Sequence, residues 1–400
     1  MNFQQFPLGS SENPYDLIIV GAGPAGLAGG ITAGRNKLKT IIFEKEDRPS
    51  PFPRGETLHN ARIFSQILGE NVLNLISTHL TAGRKFNSPM SLNSVEVFRR
   101  SPSIVYEWNK LIGLLLSRLE ETSVELKLGT EVENFIQENN ICKGVLLKTG
   151  EKIWATSVLV ADGHKSKIGH RINIPYNRIN FPIMKRIISN FRGDYTGFEY
   201  FFLVPGMLEY APRFPPSVIF VFPRGGEKCE VGLMIFSDMA QKLQKICDIP
   251  NEEEIRRVWE LLISKYPRFS KLMKNTIVEF EGYTYIGAGQ IYSDPMPIPG
   301  LFLSGESMGL IEKSGASGIA TAMQSAKFAV DFISNYKISS WSNQIARKYS
   351  QEFKKSKFLK HLKGNARKTQ LQKKFFFLYL RTAERINQKW NLVKNAYKLK

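Results

Sequence analysis

The chain has 400 residues, of which 42% are hydrophobic and 12% aromatic, so we expect a globular protein of about two domains. It contains no run of about 18 apolar residues and no signal peptide at its N-terminus, which favours a cytoplasmic protein or one at a membrane surface. Its three cysteines (Cys142, Cys229 and Cys247) form no CxxC pair, so we expect no metal site and no disulfide framework. Any redox chemistry then needs a bound cofactor.

The positive charge is concentrated at the C-terminus. The formal net charge is +19, and residues 336–400 contain 18 Lys or Arg against two acids, Glu352 and Glu384. This region therefore carries +16, which leaves about +3 for residues 1–335.

The first predicted elements form a βαβ unit. The sequence YDLIIVGAGPAGLAGG predicts a buried strand at Leu17–Val20, a tight turn and a helix to about Arg35, and KTIIFEK predicts a second strand ending at Glu44. The turn has the GxGxxG spacing of a dinucleotide site, in which glycines permit the turn, the approach of a pyrophosphate and close helix packing. The candidate cofactor-binding residues here are Gly21, Gly23, Pro24, Ala25 and Gly26. Alone, this spacing also fits a purely structural turn.

Glu44 strengthens the case for a dinucleotide. It lies 18 residues beyond Gly26 at the end of the second strand, where a carboxylate can accept hydrogen bonds from a ribose. An acid at this position disfavours a 2′-phosphate. The expected ligand is therefore FAD or NAD and not NADP.

The middle of the chain changes in character along its length. A Pro-rich loop (EDRPSPFPRGET) is followed by predicted helices at NARIFSQILG and at KLIGLLLSRL, and residues 123–163 alternate like three or four strands. Residues 172–281 look strand-rich and aromatic, with one helix predicted at NEEEIRRVWELLISKY. Within them, VIFVFPRGGEKCEVGL predicts a hairpin that turns at Gly225–Gly226.

Two later stretches resemble flavoprotein motifs. LVADGHKS places Asp162 and Gly163 directly after a strand, and LFLSGESMGLIEKSGASGIATAM combines a strand, an acidic turn and a small-residue helix at about 317–334. With the glycine turn, these stretches resemble the ordered GxGxxG, DG and GD motifs of flavoproteins with the p-hydroxybenzoate hydroxylase fold. That group includes class A monooxygenases, flavin halogenases and geranylgeranyl reductases. The resemblance spans residues 15–335.

The resemblance implies FAD as the bound cofactor and assigns further residues to it. They are Glu44, Arg54 in PRGET, Asp162, Gly163, Gly305, Glu306, Gly315, Gly318 and Ile319. Glu306 stands where the family has aspartate, and its longer side chain changes the geometry there. From the residues alone, Arg54 is equally well an exposed loop arginine, and Asp162 can simply cap a turn. No catalytic residue is assigned.

The hairpin and GIATAMQSAKFAV resemble the geranylgeranyl reductase branch, whereas PRGET lacks the cysteine of many such reductases and is closer to the hydroxylases. No two of the five tryptophans lie two residues apart, as the WxWxIP element of halogenases requires. The hairpin can form a wall of a substrate cavity, and FEYFFLVPGMLEYAPRFPP can line an apolar channel, although plain sheet and ordinary core explain both patterns as well.

The expected fold class is α/β, and α+β overall: a Rossmann-like FAD-binding domain, an inserted strand-rich substrate domain and a basic helical C-terminal tail. The predicted boundaries are 15–75, 105–170 and 281–335 for the FAD domain, 76–104 and 171–280 for the substrate domain, and 336–400 for the tail.

The tail mixes lysines with Phe375–Leu380, which suits an anionic membrane surface. A solvated helical face and a nucleic-acid site are the alternatives, and nucleic acid is the less expected partner.

The resemblance implies an FAD-dependent oxidoreductase that reduces C=C bonds of a geranylgeranyl or other isoprenoid lipid. With a single dinucleotide motif, NAD(P)H must bind transiently, or another carrier must deliver the electrons. One alternative is a class A monooxygenase acting on an apolar substrate. Another is a non-catalytic membrane- or nucleic-acid-binding protein with a degenerate flavin fold.

Overall fold

The computed structural model describes most of the chain. The described residues are 7–50, 55–58, 62–87, 94–174, 180–191, 197–204, 206, 208–237, 247–287, 291–311 and 317–364. Of the predicted site residues, Arg54 and Gly315 lie outside these ranges, as do residues 365–400 of the tail.

The described residues form strands and helices that alternate along the chain. The strands are β1 (Tyr15–Val20), β2 (Thr40–Phe43), β3 (Gly55–Leu58), β4 (Ser77–Asn87), β5 (Ser94–Glu107), β6 (Glu125–Lys127), β7 (Val132–Glu138), β8 (Ile141–Leu147), β9 (Lys152–Val160), β10 (Asn180–Ser189), β11 (Phe198–Val204), β12 (Ser217–Gly225), β13 (Lys228–Ile235), β14 (Ile277–Gly287) and β15 (Leu301–Leu303). The helices are α1 (Pro24–Arg35), α2 (Arg62–Leu68), α3 (Val72–Ile76), α4 (Trp108–Glu120), α5 (Lys167–Arg171), α6 (Glu252–Lys265), α7 (Pro267–Met273), α8 (Ile319–Asn335) and α9 (Asn343–Lys355).

The first sheet contains the parallel strands that a Rossmann-like domain requires. Its order is β6-β2-β1-β9-β8-β7, and β15 also pairs with β9. The strands β6, β2, β1, β9 and β15 run parallel to one another, whereas β7 and β8 form an antiparallel extension on the first half of β9. β1 and β2 are almost entirely apolar and buried, as expected for parallel strands covered on both faces. The expected Rossmann-like α/β class is confirmed.

Helices α1 and α8 pack closely against this sheet because their facing residues are small. A Cβ placed on Gly29 of α1 would lie 3.5 Å from Cβ of Ala326 on α8 and 3.0 Å from Leu159 of β9. α4 approaches α1 in the same way, since a Cβ on Gly30 would lie 2.9 Å from Leu119. Larger residues at these glycines would push the helices away from the sheet.

The second sheet has eight strands in the order β14-β10-β13-β12-β11-β4-β5-β3. All neighbours are antiparallel except β11 and β4, which run parallel. One face packs on α6 and α7, where Trp259 and Phe269 are fully buried against alternate strand residues such as Phe202 and Val221. The intervening strand residues therefore point to the opposite face.

The sheets differ from the predicted domain boundaries at three places. β3 lies inside the predicted 15–75 segment and β5 continues to Glu107, yet both pair in the second sheet, and β14 extends that sheet to Gly287. A second helix, α7, follows α6, where the sequence analysis expected one helix. The assignment of these segments to domains stays a prediction.

The first part of the C-terminal region belongs to the core of the first sheet. Trp341 donates from Nε1 to Oγ of Ser157 on β9 at 3.0 Å, and Tyr349 and Phe353 of α9 are fully buried. Residues 357–364 are also helical, with Leu359 and Leu362 buried. Among the described helices, none is long and apolar enough to cross a membrane.

Candidate cofactor and substrate site

Four sequence-predicted elements meet at one edge of the first sheet. β1, β2, β9 and β15 are mutually parallel, so their carboxyl ends lie together. The glycine turn follows β1, Glu44 follows β2, Asp162 lies two residues after β9, and Gly305 lies two residues after β15. In open α/β sheets, ligands bind outside the carboxyl ends of the strands, so this edge is the candidate cofactor site.

The glycine turn has little space on two sides and open space on the third. Gly21 has φ +100°, and a Cβ there would lie 2.6 Å from the carbonyl oxygen of Ala161. A Cβ on Gly26 would lie 1.8 Å from the carbonyl oxygen of Gly21, so the helix can approach the strand this closely only without a side chain. A Cβ on Gly23 would meet no atom within 4 Å. The turn is therefore open at Gly23, the N-cap of α1.

Glu44 lies against the glycine turn. Its side chain is buried, Oε2 accepts a hydrogen bond from the backbone N–H of Ala22 at 2.7 Å, and Oε1 accepts one from the N–H of Glu46 at 3.1 Å. A carboxylate has about four acceptor positions, so Glu44 retains capacity for a hydroxyl donor. This placement agrees with the role that the sequence suggested.

Asp162 is a buried carboxyl group at the same edge. Burial is the largest cause that raises the pKa of Asp162 to about 6, against hydrogen bonds from Ser166 and from backbone N–H groups that lower it. Its Oδ1 is buried and accepts no hydrogen bond from any described residue. Gly163 follows with φ +80° and open space where a Cβ would be. Asp162 thus combines a local turn with an unused acceptor.

The turn after β15 is fixed to β9 and α8. Ser304 donates its N–H to the carbonyl oxygen of Val160 at 3.0 Å, and the N–H of Gly305 donates to Oγ of Ser325 at 3.0 Å. Gly305 has φ +59°, and a Cβ there would lie 3.1 Å from Cβ of Ala322. Glu306 is partly buried in the single 3-10 turn Gly305–Met308. This geometry brings Glu306 to the site edge.

Gly318 and Ile319 lie at the start of α8. Gly318 is the N-cap residue and Ile319 is the first helical residue, and both are partly buried. Because α8 follows a parallel strand, its N-terminus lies at the same edge as that of α1. The two N-termini place partial positive charge on this side of the sheet.

The second sheet carries an aromatic face that the sequence analysis located only as an aromatic region. Phe86 stacks on Phe201 with ring centroids 5.3 Å apart, Phe201 meets Phe222 edge to face at 5.8 Å, and Phe222 stacks on Phe220 at 4.8 Å. These four rings point away from α6 and α7, because their neighbours in sequence fill the core beneath those helices. We call these four phenylalanines the aromatic face.

Two ion pairs flank the aromatic face, and the sequence analysis did not single them out. Nε of Arg84 lies 3.1 Å from Oε2 of the fully buried Glu199, and its guanidinium lies over the Phe201 ring at 5.3 Å. Nζ of Lys185 lies 2.7 Å from the buried Glu230 and 5.8 Å from the centre of the Phe220 ring. An acid inside an apolar strand, as in FEYFFLV, was the available sequence signal.

No alternative chemistry stands out elsewhere in the described part of the chain. The described residues contain no group of three or more His, Cys, Asp or Glu that could hold a metal ion. The three cysteines are free and buried, and burial raises the pKa of Cys142 to about 12, which keeps its thiol protonated at neutral pH.

Comparisons with known proteins agree with these motifs. A sequence profile for the family described as FAD binding domain matches residues 14–352. The digeranylgeranylglycerophospholipid reductase of Thermoplasma acidophilum is 25% identical over 375 residues, which cover 89% of this chain and 87% of that protein. The Picrophilus torridus protein of the same name is 24% identical over 369 residues, or 88% of this chain and 86% of that protein. The predicted resemblance to this reductase group is confirmed.

Solved structures show the same fold. A geranylgeranyl bacteriochlorophyll reductase-like protein from Thermoplasma acidophilum superposes with a TM-score of 0.75 at 19% identity, covering 96% of this chain and 92% of that protein. The flavin-dependent brominase Bmp2 superposes with a TM-score of 0.67 at 14% identity, covering 96% and 94% of the two chains. At these identities the likeness concerns the fold, which reductases and halogenases share.

Proposed function

The chain belongs to the FAD-binding domain family, and we propose that it is an FAD-dependent reductase that saturates C=C bonds of an isoprenoid lipid. The observation that carries this proposal is the extent of the similarity to the lipid reductases, which covers 89% of the chain and so includes the second sheet as well as the dinucleotide motif. A halogenase-type fold alone does not explain an aligned substrate region.

The site edge fits FAD. The glycine turn would receive the pyrophosphate at Gly23, where no side chain stands, and Glu44 would accept from the adenosine ribose. Asp162 has the unused Oδ1 that a hydroxyl of the ribityl chain would donate to, and Glu306 lies beside it as a second acceptor. The N-terminus of α8 at Ile319 would face the electron-rich end of the flavin.

FAD, when bound and reduced, supplies the hydride for the alkene. The chain supplies position and an apolar environment. The aromatic face offers a wall along which an isoprenoid chain can lie, and the flanking cations Arg84 and Lys185 are each neutralised by a buried carboxylate. The substrate thus meets rings and not unpaired charges along this wall.

An anaerobic single-turnover assay tests this function. The purified protein is reduced with dithionite and mixed with a geranylgeranyl lipid, and the flavin spectrum and product mass are recorded. We expect the flavin to reoxidise without oxygen and the lipid to gain about 2 Da per reduced double bond. Reoxidation only after oxygen is admitted, with oxygen incorporated into the lipid, would instead identify a monooxygenase.

The electron donor is proposed to bind transiently. The sequence carries one GxGxxG turn, which FAD would occupy, so NAD(P)H or a protein carrier has to reach the flavin from outside. Anaerobic bleaching of the flavin by NADH or NADPH, each compared with dithionite, separates these donors. Bleaching by dithionite alone would indicate a protein carrier.

We also propose that the C-terminal region binds an anionic membrane surface. Its described part presents seven exposed cations and a single acid, Glu352, which is half-buried; the cations are Arg347, Lys348, Lys354, Lys355, Lys357, Lys360 and Lys363. We call these seven residues the cationic face. Such residues contribute on the order of 1 kcal/mol each near an anionic bilayer. Deletion from residue 341 is not a clean test, because it removes Trp341, Tyr349 and Phe353 from the core.

A further inference from the structure

Arg224 is a buried cation whose hydrogen-bonding capacity is hardly used. Its side chain is 7% exposed, and its Nε donates to no described residue. Its nearest carboxylate is that of Glu107, at 3.5 Å from Nη2, which is longer than a normal hydrogen bond of an ion pair. A guanidinium has five N–H donors, and leaving them unpaired in a buried position is costly.

The other two cations of this sheet face show the contrast. Arg84 and Lys185 are each held at 2.7–3.1 Å by a carboxylate that is at most 1% exposed. Both are also more exposed than Arg224, with 19% of the side chain accessible. The most buried cation of the three is therefore the one with the weakest protein partner. A ligand anion would supply what the protein does not.

The position of Arg224 connects the aromatic face to the flavin-binding half. It follows Phe222 by two residues at the end of β12, where the strand has an irregular register before the Gly225–Gly226 turn. Glu107 is the last residue of β5, and α4 of the first sheet's core begins at the next residue, Trp108. Glu107 also pairs with Gly55, the residue after Arg54. An anion at Arg224 would thus lie at the junction of the two sheets.

We propose that Arg224 binds the phosphate group of an anionic isoprenoid substrate and makes the enzyme prefer it over a neutral isoprenoid of the same chain. This inference rests on the proposed reductase function and adds the head-group chemistry to it. The planar guanidinium binds phosphate through two parallel hydrogen bonds, a geometry that lysine does not reproduce. The aromatic face beside it would receive the hydrocarbon chain. Arg224 is then a specificity-determining residue.

The test compares two substrates that differ only in the head group, geranylgeranyl phosphate and geranylgeraniol, in the anaerobic assay with holoenzyme. We expect the wild type to show the lower KM for the phosphate. Arg224→Gln should raise that KM by about 10- to 100-fold and leave kcat/KM for the alcohol within about 2-fold. Arg224→Lys should recover only part of the preference. Lys228→Gln is the matched control, since Lys228 lies on the same hairpin, is exposed and pairs with Glu279 at 3.0 Å.

Binding measurements separate failure of this inference from failure of the proposed function. Geranylgeranyl phosphate is titrated by calorimetry into the oxidised holoenzyme, where no turnover occurs, with inorganic phosphate as a second titrant. Binding that Arg224→Gln weakens, without any reduction of the lipid, would support the anion site and reject the reductase function. Equal KM values for the two lipids, or an equal loss on both in Arg224→Gln with an unchanged flavin spectrum, would overturn the inference. So would inorganic phosphate binding as tightly as the lipid, because the site would then take a free anion.

Discussion

Asp162 carries a cost in the folded protein that a bound ligand can offset. Burial raises its pKa from 3.8 to about 6, so the folded protein holds its proton more tightly than the unfolded chain does. Between these two values the folded state binds more protons, and the stability of the flavin-free protein therefore falls as the pH rises from about 4 to 6. Above pH 6 the carboxylate is charged, and its Oδ1 has no donor among the described residues.

We predict that Asp162→Asn stabilises the flavin-free protein at pH 7 and weakens FAD binding. A shift of about 2 pKa units corresponds to a cost of at most about 3 kcal/mol, which the amide avoids. The gain in the free energy of unfolding should disappear at pH 4, where the aspartate is protonated in both states. Urea unfolding at the two pH values and FAD titration measure both effects. A variant that loses stability at pH 7 would show that the carboxylate is needed for the fold itself.

The turn between β1 and α1 shows how an element boundary combines packing and binding. Gly26 lies where the helix touches the carbonyl oxygen of Gly21, whereas the space beside Gly23 is open. The same three-glycine motif thus contains one position that the fold requires and one that the proposed pyrophosphate requires. The motif alone does not separate these roles, because the separation depends on which atoms approach each glycine.

We expect Gly26→Ala and Gly23→Ala to fail in different ways. Gly26→Ala should destabilise the flavin-free protein by about 1–3 kcal/mol, because its Cβ overlaps backbone atoms. Gly23→Ala should cost at most about 1 kcal/mol, the usual difference at an N-cap, but reduce FAD occupancy sharply. Thermal unfolding without FAD and the flavin-to-protein absorbance ratio distinguish the two. Full FAD occupancy in Gly23→Ala would contradict the assignment of the pyrophosphate to this turn.

Local signals in the sequence were sufficient for most elements. The limits of α1 follow from Pro24 at its first position, and the hairpin turn follows from Gly225 and Gly226, which both have positive φ. The missed helix α7 also begins with a proline, Pro267, at the first helical position, so this signal was available and was not used. Element existence therefore depends on short patterns that a sequence contains.

At the scale of the whole molecule, the pairings that build the site join residues far apart in sequence. β11 pairs with β4 in parallel, which brings Glu199 to Arg84 across 115 positions. Likewise, β3 leaves the flavin-binding segment to pair with β5 in the second sheet. A period-2 pattern states that a strand has two faces, but not which strand lies beside it or what covers each face. The aromatic face and the environment of Arg224 were for this reason beyond the sequence.

The charge distribution of the whole molecule leads to the last prediction, which concerns the cationic face. Replacing Lys354, Lys355, Lys357 and Lys360 by glutamine should reduce binding to vesicles that contain anionic lipid by at least about 100-fold, at on the order of 1 kcal/mol per residue. All four are exposed, so folding should be unaffected. A control with Lys37, Lys110, Lys152 and Lys274 replaced, which are also exposed, loses the same net charge elsewhere.

Sedimentation with vesicles at two salt concentrations measures the effect. Binding of the wild type should weaken with salt, and that of the first variant should depend on salt less, because fewer charges are screened. An equal loss in both variants would mean that net charge alone attracts the protein and that the cationic face has no special part. If neither variant differs from the wild type, while binding to single-stranded RNA falls only in the first, the cationic face is a nucleic-acid site. A loss of vesicle binding confined to the first variant would place the flavin-binding half, to which α9 is packed, next to the bilayer that holds an isoprenoid lipid.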